Sequence, residues 1–138
     1  MPISDYAGNN LLNSLLRGVA FPLPAKVYIS LHTGDPGRTG VNEVTLAAWP
    51  AYIRKDAADG GNVDTGFSAA ASRNSKNAKQ LIYPVNDGAG NVTVSYWALF
   101  DAPTGGNCLA YGPLSSSRTV QPGDVFVVDV NKLTATVN

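Results

Sequence analysis

The stretch "VTVSYWALFD", residues 92–101, constrains the fold of this chain more than any other. Val92, Val94 and Tyr96 alternate with Thr93 and Ser95, the signature of a strand with one wet face. From Trp97 to Phe100 every side chain is apolar, so both faces of that half must be covered. A strand of this kind lies centrally, between two layers. "APTGGN" then turns the chain, and "CLAYGPL" pairs back until Pro113 removes a donor.

The other segments supply the covering layers. "SDYAGNNLLNSLLRGVAFPLP" predicts a helix over about 4–20, capped by Ser4 and stopped by Gly18, Pro22 and Pro24. Leu11, Leu12, Leu15, Leu16 and Val19 form its apolar stripe, which is expected to pack on a sheet. "KVYISLH" has period two, with Val27, Ile29 and Leu31 inward and His32 on the polar side. "TLAAW" and "AYIRKDA" form a short element that Pro50 interrupts. "KQLIYPV" reads as a strand, and "NDGAGN" as a hairpin turn leading into residue 92. Near the end, Phe126, Val128 and Val130 occupy even positions, whereas Leu133, Ala135 and Val137 occupy odd ones. One regular strand cannot change faces, so Asn131-Lys132 must be a bend at which the chain changes partner.

The 138 residues therefore predict one domain, mainly β: a small antiparallel β-sandwich of six to seven strands with one N-terminal amphipathic helix. Residues of about 56–79 stand apart. They carry Phe67 and Val63 as their only large apolar side chains and predict an extended polar loop or arm, either a mobile excursion or ordered only against a neighbouring subunit.

Charge and motif content exclude several function classes. Lys plus Arg and Asp plus Glu both number ten, scattered along the chain, which argues against nucleic acid as a partner. Only 14% of residues are charged, low for a globular chain and suited to association. No apolar run reaches membrane-spanning length, and the first residues show no signal peptide, so synthesis in the cytoplasm is expected. Cys108 is alone and reads as a small buried hydrophobe. "DAADGGNVD" lacks the closing Glu of a calcium loop, and neither Gly-rich turn matches a P-loop, so no metal or cofactor is expected. No G-x-S-x-G occurs. His32 with Asp35 is the sole hydrolase-like pairing, and it lacks a nucleophile. Trp49 and Tyr52, flanking Pro50, are candidates for an exposed patch that serves an interface or a host-surface glycan, with Phe67 and His32 as further contact candidates.

The order of motifs resembles a family of small bacteriophage virion structural proteins, the tail fibre or minor tail proteins. The resemblance runs through "YAGNNLLNSLL", "KVYISLHTGDPG", "VNEVT", the aromatic-x-Arg element of "AYIRKDA", "NAKQLIYPV", "VSYWALFDAPTGGNCLAYGPL" and "RTVQPGDVFVVDVNKLTATV". It covers nearly the whole chain, and "LHTGDPG" and "FDAPTGGNCLAYGPL" are its most specific pieces. The 56–79 stretch is longer than its counterpart in the family. The resemblance implies a virion protein that is not an enzyme and that acts by binding other virion proteins. It also implies a homo-oligomer, with a trimer as the first expectation. Tail, capsid decoration and neck or collar remain alternative positions, and a glycan-binding module is the alternative of another class.

Overall fold

A computed structural model describes residues 3–137. Among them the chain is mainly β, with one helix, α1 (Asp5–Arg17), and eight strands in antiparallel sheets. The strands are β1 (Tyr28–His32), β2 (Lys55–Asp56), β3 (Asn74–Lys76), β4 (Leu81–Ile82), β5 (Val92–Phe100), β6 (Cys108–Val120), β7 (Val127–Val128) and β8 (Thr134–Thr136). The principal sheet has the order β2-β1-β5-β6, and β4–β7 and β3–β8 form two separate ribbons. The count exceeds the expected six to seven because the second layer is broken into these short pairs.

β5 is central, as its two-sided apolar half requires. Its register on β6 jumps from Val94↔Arg118 to Tyr96↔Pro113, so residues 114–117 bulge out opposite Ser95. The irregularity reverses side-chain parity. Even-numbered Val92 and Val94 therefore reach the same core as odd-numbered Trp97 and Leu99. Ile29, Leu31, Leu81, Tyr83, Phe126 and Val128 complete this core between the sheet and the β4–β7 ribbon. Ala98, Phe100, Cys108 and Tyr111 form a smaller cluster.

The chain between β7 and β8 changes partner where the parity argument places the bend. Asn131 has φ 66°, and its N–H donates to the Asn77 carbonyl (2.9 Å). Asn77 is the buried organiser of this corner. Its side-chain amide donates to the Asp129 carbonyl (2.8 Å) and accepts from the Leu133 N–H (2.8 Å).

Three expectations need correction. "NDGAGN" is no hairpin, because β4 pairs with β7 and β5 with β1 and β6. Buried Asn86 shapes this crossover by donating to the Val120 carbonyl (2.9 Å) and accepting from the Gly88 N–H (2.9 Å). The 56–79 excursion lies against its own domain: Ala57, Ala58, Gly66 and Asn77 are buried, and β3 pairs with β8. Polar bonds order it where apolar mass is lacking, including Ser68 N–H to the Lys76 carbonyl (2.8 Å) and Lys76 N–H to Ser68 Oγ (3.0 Å).

The third correction concerns α1. Ser4 caps it by accepting from Ala7 N–H (3.1 Å), and Gly18 ends it at φ 67°. It docks through Ala7, and Ser4 N–H joins the Leu109 carbonyl of β6 (3.0 Å). Apart from half-buried Leu11, the leucine stripe does not pack on the sheet. Leu12, Leu15, Leu16 and Val19 are 56%, 71%, 77% and 47% exposed.

Candidate functional site

Arg54, in the aromatic-x-Arg element Tyr52-Ile53-Arg54, lies at the centre of a dense polar network. Its guanidinium meets Glu43 in a fork, with Nε to Oε2 at 2.9 Å and Nη2 to Oε1 at 2.8 Å. Nη1 donates to the carbonyls of Ala102 and Gly105, both at 2.8 Å, and so fastens the β5–β6 turn. Tyr52 donates to Glu43 Oε2 (2.7 Å) and accepts from the Leu31 N–H (3.0 Å), tying the fork to β1. Burial works against the Glu43 charge, but the bonds from Arg54 and Tyr52 prevail and hold its carboxyl below the ordinary value. The Tyr52 hydroxyl is pushed far up, by burial first and by the Glu43 charge second. Arg54 thus spends four of its five donors inside the protein, and the arrangement is a clasp.

Beside the clasp opens a groove of about 450 Å³ between Leu46 and Ile53 on one side and Pro103 to Gly105 on the other. Leu46 and Ile53 are exposed.

His32 was expected on a wet strand face and is instead fully buried. Its Nδ1 lies 2.8 Å from the Val41 carbonyl, and its Nε2 lies 2.8 Å from Ser30 Oγ. The Val41 carbonyl can only accept, so Nδ1 carries the proton of the neutral ring, and the one Ser30 hydroxyl proton faces both Nε2 and the Ala98 carbonyl (3.2 Å). Burial holds its pKa below the ordinary value, favouring that neutral form. Asp35 is not its partner: that carboxylate accepts from the Gly37 N–H (2.8 Å). The Ser-His contact is sealed from solvent and ends on a backbone carbonyl, which makes it a satisfied core pair.

Trp49 and Tyr52 do not form the exposed patch expected of them. Trp49 is fully buried and Tyr52 is 6% exposed. The turn at residues 45–49 folds the indole inward, where Nε1 donates to the Val85 carbonyl (3.1 Å). The two rings tilt together at 5.6 Å, and Tyr52 stacks on Tyr83 at 6.4 Å. Phe67 is half-buried against the main core. Trp49, Tyr52 and His32 are therefore held inside, with no ring face offered to a glycan. Cys108 is buried, and burial pushes its thiol up to about 11, so it is not a reactive thiolate. Among the described residues no cluster of His, Cys, Asp or Glu is suited to a metal ion, and no helix is long and apolar enough to cross a membrane.

The leucine face of α1 is an exposed apolar feature. Its periodicity was visible in the sequence, but its exposure was not.

Residues 2–136 match the family model described as podophage GP4 fiber I protein gp80. The chain belongs to that family. This fibre family is a phage structural one, which agrees with the resemblance read from the motifs and implies a place on the virion. No curated protein matches the chain. The Arg54 clasp joins the residue 43 segment to the β5–β6 turn, and the α1 face and the Leu46–Ile53 groove are exposed apolar surfaces.

Proposed function

We propose that this chain is a tail-fibre or spike-type subunit that acts by assembling with copies of itself and with other virion proteins, and that it transforms no substrate. The exposure of Leu12, Leu15, Leu16 and Val19 carries the reading. An uncovered leucine stripe on an isolated domain is an aggregation liability, whereas in an assembly subunit it is a contact surface. The buried His32, Trp49 and Tyr52 support the same reading, since the residues best suited to catalysis or sugar stacking are committed to the core.

Immunogold labelling of purified particles tests this directly. Label on the tail fibres is expected. Label confined to capsid or neck replaces the tail position with decoration or collar, and particles without the protein remove the reading.

A further inference from the structure

We propose that Asp59-Gly60 is a site of spontaneous covalent modification, at which Asp59 converts to isoaspartate, and that the fold shields the other Asp-Gly pair, Asp87-Gly88. The inference is independent of the fibre-subunit reading. The Gly60 nitrogen attacks the side-chain carboxyl carbon of Asp59. A C–N bond forms and closes a five-membered imide, while the amide hydrogen and the carboxyl hydroxyl leave together as water. Water then reopens the ring. Opening at the side-chain carbonyl restores aspartate, and opening at the main-chain carbonyl leaves the chain running through Cβ as isoaspartate. Glycine suits the attacking position because it has no side chain to crowd the ring.

The two pairs share this chemistry and differ in their surroundings. Asp59 and Gly60 are both exposed, and among the described residues the Asp59 carboxylate joins no ion pair. Asp59 has φ 50°, a left-handed backbone in which Cβ crowds the following carbonyl. Space around Gly60 is open, since a Cβ placed there would meet nothing within 4 Å. The Gly60 N–H is held by Asp56 Oδ2 at 3.1 Å, a longer bond than those Asp56 accepts from Lys26 Nζ (2.8 Å) and the Ala58 N–H (2.9 Å). It is the easiest of the three to release. Asp87, by contrast, accepts from the Ala51 N–H (2.9 Å), and the Gly88 N–H donates to Asn86 Oδ1 (2.9 Å). The Ala48 carbonyl closes in on the backbone at Gly88. Ring closure there would break both bonds and push the residue 48 turn away. At Asp59 the product adds one backbone atom just before the Gly60 N–H that bonds Asp56 and the Gly61 carbonyl that bonds Lys26 Nζ (3.2 Å). Isoaspartate therefore loosens the loop that closes on β2.

The test is heavy-oxygen labelling of the full chain. Folded protein and a urea-unfolded control are kept warm in heavy-oxygen water at mildly acidic pH until the control is labelled, then digested and mapped by mass spectrometry. Each imide opening fixes one heavy oxygen. In the folded chain the peptide holding Asp59 is expected to gain label and to split into two chromatographic forms of equal mass, while the peptide holding Asp87 stays light. In urea both peptides should label alike. Asp59→Glu, whose longer side chain would need a six-membered ring, should remove the label from its peptide. An Asp59 peptide that stays light in the folded chain, equal labelling of the two pairs there, or earlier labelling of Asp87 overturns the proposal. Label that persists in the same peptide of Asp59→Glu overturns it as well, by placing the reaction at another residue. The wild-type comparison with urea stands even where the variant fails to fold.

Discussion

The guanidinium carbon of Arg54 sits 3.7 Å from the centroid of the Phe100 ring, while its nitrogens grip Glu43 on one side and the β5–β6 turn on the other. One side chain therefore joins the last residue of the central strand, the turn that follows it and the residue 43 segment. Arginine suits this position because a planar fork can stack on a ring and bind a carboxylate at once.

Replacing Arg54 with Ala should cost about 3 kcal/mol, because it leaves Glu43 half-buried without its counter-charge. Arg54→Lys should recover only part of this loss, since an ammonium cannot make the fork or stack flat on Phe100. Urea denaturation measures both, and hydrogen exchange should show residues 102–107 losing protection in each variant. A variant as stable as wild type would show that the clasp is ornamental.

Much of this architecture was legible because it depends on side-chain parity. Trp97 to Phe100, apolar on both faces, gave away the central strand, and the even-to-odd switch after Val130 gave away the bend at Asn131. What escaped detection depends on partners distant in sequence. The bulge opposite Ser95 is a property of β6 as much as of β5. Asn77 and Asn86 look like loop residues in sequence, and only folding shows that their amides satisfy buried backbone groups. Periodicity identified α1 as amphipathic but carried no information on whether its stripe meets a sheet or another chain. Trp49 and Tyr52 were misread because Pro50 marks a turn, and a turn can point its rings inward when a carbonyl such as that of Val85 awaits the indole.

Asn77→Ala should lower stability by about 2 kcal/mol, leaving the Leu133 N–H and the Asp129 carbonyl without their buried partner. The β3–β8 ribbon should open first, since the corner that delivers β8 to it depends on this amide. Native-state hydrogen exchange resolved by residue tests the order: simultaneous opening of all strands would contradict it.

Gly88→Ala should be destabilising by about 2 kcal/mol even though the residue needs no left-handed backbone. A Cβ placed there would lie 2.1 Å from the Ala48 carbonyl oxygen, which is backbone and cannot rotate away. Gly90→Ala, two residues on, meets nothing within 4 Å and serves as the control. Equal thermal midpoints for the two variants would contradict the close approach of the residue 48 turn to the crossover.

Acid should weaken the fold in two stages, both with the same sign. His32 is held below its ordinary value of 6.5, by burial first and by the Arg54 charge, with the Val41 carbonyl and Glu43 opposing. The unfolded chain therefore binds the proton more readily, and the stability from the neutral ring is complete above about pH 6.5 and declines as the pH falls below it. Glu43 is also held below its ordinary 4.5, so its contribution is complete above that value and fades as the pH falls through the lower folded one. Urea midpoints measured from pH 8 downward should be flat, then fall in these two steps. His32→Gln should flatten the upper step and leave the lower, because its amide cannot take up the proton that the imidazole does. An unchanged upper step in that variant would place the titrating group elsewhere.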